Sequence, residues 1–285
     1  MTTRTVTLTP GVSAMDLRIR GLSKTYPNST QAVKDVSLDV SQGMFGLLGR
    51  NGAGKSTLMR ILATLQDPDA GSARLGDIDV IRDKPRVRQV LGYLPQSFGF
   101  HPKAKAQRLL EHFAVLKEIA EAGARRDVVE SLLRQTNLWE RRGDRLGTFS
   151  GGMRQRFGVA VALLGDPRLI IVDEPTAGLD PEERVRFLNL LSDIGENSVV
   201  ILSTHIVEDV EELCSRVAII DEGEILLEAE PLRAIDELRG RIWRRTVNRD
   251  ELPTIERELP VIATKMLAGR TVVRSARIRS MQSSG

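Results

Sequence analysis

Gly49-Arg50-Asn51-Gly52-Ala53-Gly54-Lys55-Ser56 stands between an apolar run, Met44 to Leu48, that reads as a strand and a helical pattern that starts near Lys55. Glycines at these spacings let successive backbone N–H groups curl around an anion at a helix N-terminus, where unpaired amides and the helix dipole favour negative charge. The pattern is that of a phosphate loop. It assigns Lys55 to the β- and γ-phosphates of a nucleotide and the Ser56 hydroxyl to Mg²⁺, with Thr57 continuing the helix start. A glycine-rich turn without a ligand is the plainer alternative, but a strand before and a helix after are the context the motif requires.

Further along, Leu169-Ile170-Ile171-Val172-Asp173-Glu174 is an apolar strand ending in two carboxylates, where a doubly wound sheet opens its ligand crevice. Asp173 is placed to hold Mg²⁺, directly or through water. Glu174 points differently and can polarise an attacking water as general base. An acidic pair capping a helix before Pro175 is the alternative.

Short β-branched segments alternate with helical patterns over most of the chain, which predicts an α/β fold with a parallel core sheet. From Asp16 to Val40 and from Ala73 to Val80, short alternating stretches between turn residues predict a small antiparallel sheet. From about 103 to 164 the periodicity is helical, with Leu109, Leu110, Phe113 and Leu116, then Val128, Val129, Leu132 and Leu133. This predicts an inserted helical subdomain, about 97–165. Strands resume at Leu169 to Asp173, Val199 to Ser203 and Val217 to Asp221. Beyond Glu230, a helix to Leu238, a strand from Ile242 to Val247, a helical segment 250–258 and a hairpin turning at Ala268-Gly269 predict a small α+β appendage, 231–285.

The apolar runs are of strand length, far below the ~20 residues needed to span a bilayer, so the chain is not expected to cross a membrane by itself. Residues 1–14 are Thr-rich without the apolar core of a signal peptide and read as a disordered leader; Met15, directly before the first strand, is a candidate translation start. The single cysteine, Cys214, excludes an intrachain disulfide and reads as a small buried filler. Net charge is only +3, yet ten arginines fall between Arg239 and Arg279. Aromatics do not interleave with them densely enough for a base-stacking platform. They read as a solvated surface, and nucleic acid is not the expected partner. His101 and His112 lack ligand-like spacing for a metal.

Phe149-Ser150-Gly151-Gly152-Met153-Arg154-Gln155-Arg156 follows the helical stretch. Ser150 caps a helix whose first N–H groups, bared by two glycines, can form an anion site; on its own, a plain capped helix explains it as well. Order and spacing add what the segment alone lacks. It lies after the helical insert and 23 residues before Asp173, an arrangement that resembles the ATP-binding cassette (ABC) family. The family signature Leu-Ser-Gly-Gly-Gln is kept at Ser150, Gly151 and Gly152 and departs at Phe149 and Met153.

The resemblance covers about Asp16 to Glu230 and implies a P-loop NTPase domain over 15–230. It implies ATP and Mg²⁺ as cofactors, with Gly49, Arg50, Asn51, Gly52, Ala53, Gly54, Lys55, Ser56 and Thr57 around the nucleotide and Ser56, Gln96 and Asp173 around the ion. Gln96, after the strand Val90 to Leu94, matches the glutamine loop. Ala177-Gly178-Leu179-Asp180 matches the D-loop, which brings Asp180 to the dimer interface, and His205 matches the switch histidine at the γ-phosphate. Glu174, His205, Gln96 and Lys55 are then the catalytic set. Tyr26 matches the aromatic that stacks on adenine, against the alternative that it only packs the small sheet.

The same resemblance implies a homodimer or pseudo-symmetric dimer in which Ser150, Gly151 and Gly152 of one subunit close on the nucleotide of the other. It also implies a separate integral membrane permease, gripped near Gln96 to Pro102, that holds the chain at the inner face of the cell membrane. Ser97-Phe98-Gly99-Phe100 is an apolar patch for that grip, or else a locally packed loop. One cassette, a helical insert and a small appendage resemble bacterial exporter-type, drug-efflux-like ATPase subunits. A soluble ABC ATPase acting on a ribosome or nucleic acid is the alternative, but such members usually carry two cassettes or long coiled coils. A module that binds nucleotide without turnover is a third reading, against which Glu174 and His205 argue.

Overall fold

Alternation of apolar and polar residues builds the first sheet. In the computed structural model, which describes residues 16–97, 99–176, 179–194, 198–239, 242–248, 251–267 and 270–276, β1 (Leu17–Thr25) pairs antiparallel with β2 (Gln31–Val40) and with β4 (Ala70–Leu75), and β4 with β5 (Ile78–Asp79). Residues 1–15, Phe98, Ala177, Gly178, the Ala268-Gly269 turn, Arg241, Arg249, Arg277 and Arg279 fall outside the described residues, and with them the leader, the candidate start at Met15 and part of the D-loop.

The second sheet carries the chemistry. β3 (Gly43–Leu48) lies between β8 (Val199–Thr204) and β9 (Arg216–Asp221), and β8 continues to β7 (Leu169–Asp173) and β6 (Leu91–Leu94), all parallel. Strands covered on both faces read as continuous apolar runs, and all five residues of β7 are buried. Within them, sides alternate. Ile171 and Ile201 pack with Leu58, Met59 and Leu62 of α1 (Lys55–Leu62), whereas Ile170, Val172, Val200 and Leu202 pack with Phe187, Leu190 and Leu191 of α6 (Pro181–Ile194). α2 (Lys84–Val90) runs through Val90, so the strand before Gln96 starts at Leu91 rather than at Val90.

The sheet is not wholly parallel. β10 (Glu224–Ala229) adds an antiparallel edge strand to β9 through the two-residue turn Glu222-Gly223, both at positive φ, the backbone of the hairpin turns whose twist suits paired strands. The sequence does not announce this strand, because Ile225-Leu226-Leu227 does not alternate.

α3 (Ala106–Leu116), α4 (Ala122–Gln135) and α5 (Gly151–Ala162) enclose their own core, with Leu110, Leu133, Phe149 and Phe157 at its centre. Leu116, expected on the apolar face, is instead 65% exposed at the end of α3. Phe100 is not an open grip: it meets Phe157 edge-on at 4.9 Å between ring centroids and Phe113 at 6.3 Å, the locally packed alternative.

Residues 230–285 form a second compact unit. Its described part has α8 (Pro231–Leu238), a three-stranded antiparallel sheet in the order β11 (Ile242–Val247), β13 (Arg270–Ala276), β12 (Val261–Leu267), and α9 (Leu252–Glu258). Val247, Ile255 and Val273 make its small core.

Cys214, at the end of α7 (Val207–Leu213), is buried, and burial with a lesser push from the Asp209 charge drives its thiol up to about 12. The thiolate is the reactive form. At pH 8 the native chain should therefore react with a thiol reagent on the order of 10³-fold more slowly than the urea-unfolded chain; comparable rates would mean that the thiol is open to solvent.

Candidate functional site

Four adjacent strands deliver the predicted residues to one edge. Leu48 of β3 is level with Thr204 of β8, and Asp173 of β7 with Ser203, so the phosphate loop, His205 and Glu174 leave the sheet side by side, and Gln96 follows β6 beyond them. This is the carboxyl end of the strands, where open α/β sheets place ligands.

The loop between β3 and α1 is held by close backbone packing. At Gly54 φ is +105°, and a Cβ there would lie 2.2 Å from the Ala32 carbonyl oxygen, so only glycine fits. At Gly49 a Cβ would lie 2.4 Å from the Ile220 carbonyl oxygen. The β9–β10 turn props the loop from below: Gly223 N donates to Ala53 O at 2.9 Å, while Lys34 N of β2 donates to Gly223 O at 2.8 Å. Gly223 and Ala32 are supports that motif reading missed. Only the hairpin and its contacts reveal them.

Lys55 is almost wholly buried, and its ammonium donates to the carbonyls of Gly49 at 2.7 Å and Arg50 at 3.0 Å and lies 3.3 Å from Glu174 Oε1. Gln96 Nε2 donates to Glu174 Oε2 at 3.1 Å, and His205 Nδ1 stands 3.6 Å from Oε1. Glu174 is thus the point on which Lys55, Gln96 and His205 meet. It sits at φ +46°, an uncommon conformation for a side chain with a Cβ, with its N–H on Ser203 O at 2.9 Å. The next residue, Pro175, gives its carbonyl to Gln155 Nε2 of α5 at 2.7 Å. Asp173, buried beside it, accepts from Ser203 Oγ at 2.8 Å.

A cavity of about 350 Å³ opens over this cluster, a volume in the range of small-molecule sites. Residues 51–57 of the phosphate loop and the start of α1, Ala53 excepted, line it together with Gln96, Glu174, Tyr26, Thr30 and Ala32. Tyr26 is half-buried; its hydroxyl donates to Gln66 Oε1 at 3.1 Å and lies 3.2 Å from Thr57 Oγ1. The bond with Thr57 and then that with Gln66 outweigh the effect of burial and hold the phenol below its ordinary pKa.

The remaining predicted residues stand elsewhere. Ser150 caps α5, accepting from Met153 N at 3.1 Å, and Ser150, Gly151 and Gly152 do not line the cavity. Gly152 abuts the Glu183 carboxylate, which pairs with Arg156; a Cβ on Gly152 would lie 2.4 Å from it. Asp180 caps α6 through Glu183 N at 2.8 Å.

Comparison with known proteins agrees with this architecture. The ABC transporter family model matches residues 33–177. The chain is 33% identical over 262 residues to the probable multidrug ABC transporter ATP-binding protein YbhF of Escherichia coli (strain K12), covering 90% of this chain and 45% of that protein. It is 35% identical over 266 residues to the Nod factor export ATP-binding protein I of Cupriavidus pinatubonensis (strain JMP 134 / LMG 1197), covering 92% of this chain and 81% of that protein. A solved ATP-binding subunit of an ABC transporter superposes with a TM-score of 0.69 at 28% identity, over 84% of this chain and 98% of that one. A phosphate loop, an acidic strand end, a glutamine and a histidine gathered at one sheet edge, in a chain that matches such relatives over most of its length, lead to one conclusion: the chain belongs to the ABC transporter family and carries its ATP-binding cassette.

Proposed function

We propose that this chain hydrolyses ATP as one half of a cassette dimer and so drives a separate membrane permease, in the export direction. The observation that carries the reading is the convergence of Lys55, Gln96 and His205 on the Glu174 carboxylate, at 3.3, 3.1 and 3.6 Å. The phosphate loop binds the triphosphate, and Lys55 turns to its β- and γ-oxygens. Glu174 takes a proton from water as that water attacks the γ-phosphorus. The bond from this phosphorus to the bridging oxygen breaks, and ADP and inorganic phosphate leave with the proton passing to solvent. Gln96 orients the water, and His205 steadies the γ-phosphate. Tyr26, on the cavity wall, offers the adenine a ring face.

The oxygens of Ser56, Asp173 and Gln96 suit Mg²⁺, which takes hard oxygen donors; the Gln96 amide nitrogen is committed to Glu174, leaving its carbonyl oxygen for that task. When bound, the ion neutralises charge on the phosphate oxygens.

The exposed cap Ser150 and its glycines do not reach the cavity of their own chain. A second copy related by a two-fold axis supplies them, with Asp180 at the same interface, and one kind of contact then makes two sites. Among the described residues no helix is long and apolar enough to cross a membrane; in the proposed function the membrane path belongs to the permease. The name of one relative, the Nod factor export ATP-binding protein I, favours export, and the permease selects what is moved.

Affinity purification of the tagged chain from detergent-solubilised native membranes, followed by mass spectrometry, tests the partner. A polytopic membrane protein in stoichiometric amount is the expected result; ribosomes or DNA in its place would make the chain a soluble ATPase with another task.

A further inference from the structure

Asp209 looks unremarkable in the sequence, one of several acids with Glu208, Glu211 and Glu212 on α7, yet those three are exposed and Asp209 is 0% exposed. Its Oδ2 accepts from Thr176 Oγ1 at 2.7 Å and Thr204 Oγ1 at 3.2 Å. Its Oδ1 accepts from Arg184 Nε at 2.8 Å and lies 2.7 Å from Arg184 Nη2. Thr204 Oγ1 in turn accepts from Ile206 N at 3.0 Å, closing the backbone on either side of His205. Thr176 stands two residues after Glu174, and Arg184 four residues after Asp180 on α6. One buried carboxylate therefore ties together the segments that carry Glu174, His205 and Asp180.

We infer that Asp209 is a positioning residue for ATP hydrolysis, fixing the Glu174 turn, the His205 turn and the start of α6 against one another; this rests on the ATPase reading above. Desolvating a carboxylate is unfavourable, and well-packed apolar groups often replace a buried ion pair without loss of stability. What the charge adds is a single arrangement of three segments that no side-chain cross-link joins. A reacting group displaced by about 1 Å can lose ~10²-fold in rate, so the arrangement bears on turnover more than on nucleotide affinity.

The test compares the full chain with Asp209→Asn and Thr176→Val, measuring equilibrium ATP affinity, single-turnover hydrolysis and thermal unfolding by circular dichroism as a reporter of the folded state. Asp209→Asn is expected to lower the hydrolysis rate ~10- to 100-fold while ATP affinity stays within about threefold and the chain keeps a cooperative unfolding transition. The double variant Asp209→Asn/Arg184→Gln should be no slower than Asp209→Asn, because both act through one contact. If Asp209→Asn does not fold, Thr176→Val, which removes one hydroxyl at nearly constant size, carries the test with an expected loss of about tenfold. Turnover at the wild-type rate in a folded variant overturns the assignment, as does a parallel fall of affinity, rate and cooperative folding, the mark of a merely structural role. A wild-type chain that binds ATP without hydrolysing it overturns the ATPase reading itself and this inference with it.

Discussion

Glu174→Gln should yield a folded chain that binds ATP and hydrolyses it ~10³-fold more slowly than wild type, within the range that general bases contribute. Glutamine has the size of the native side chain, and the φ of +46° and the N–H bond to Ser203 do not depend on the carboxylate. What is lost is the group that takes the proton from water. ATP affinity should stay level or rise a few-fold, because the Lys55 ammonium no longer faces a carboxylate at 3.3 Å and is freer to meet the phosphates. Stopped at the bound stage, two copies should remain together, so size-exclusion chromatography with ATP is expected to show a persistent dimer. Phosphate release close to wild type would remove Glu174 from the role of base.

Much of this site is legible in the sequence because its parts are local. The loop from Gly49 to Ser56 declares itself by spacing, and its strand and helix flank it directly. Glu174, Gln96 and His205 each follow a strand, and neighbouring parallel strands bring their ends together whatever the loops between them do. The fold is legible for the same reason: buried parallel strands such as Leu169–Asp173 are continuous apolar runs.

Features that depend on tertiary packing are not legible. Asp209 reads as one more acid on a solvated helix face, and only the packing of α7 and α6 on the sheet turns it inward to meet Arg184, Thr176 and Thr204. Gly223 reads as an ordinary turn glycine until the hairpin places its N–H on the Ala53 carbonyl of the phosphate loop. Phe100 reads equally as part of a grip or of a packed loop because the sequence does not reveal the Phe113 and Phe157 rings that receive it. Residue type signals chemistry, but burial and partners arise from contacts between segments far apart in the chain.

Lys55→Ala should abolish tight nucleotide binding, with affinity falling ~10²-fold or more as a charge-assisted contact to phosphate disappears. Its three donors are already engaged: the carbonyls of Gly49 and Arg50 take two, and Glu174 Oε1 lies 3.3 Å from the same nitrogen. In the proposed function ATP takes the ammonium from at least one of these partners, and a phosphate oxygen that replaces Glu174 frees the base as it binds. Alanine also leaves the nearly buried Glu174 carboxylate without its cation. Breaking a buried pair costs up to ~3–5 kcal/mol, most of it from the stranded charge, so thermal unfolding should shift down. The double variant Lys55→Ala/Glu174→Gln separates the two effects. With no charge stranded, its thermal stability should return toward that of Glu174→Gln alone, while its ATP affinity in a direct titration should stay as poor as that of Lys55→Ala. Recovery of affinity along with stability would mean that Lys55 serves the folded site rather than the phosphate.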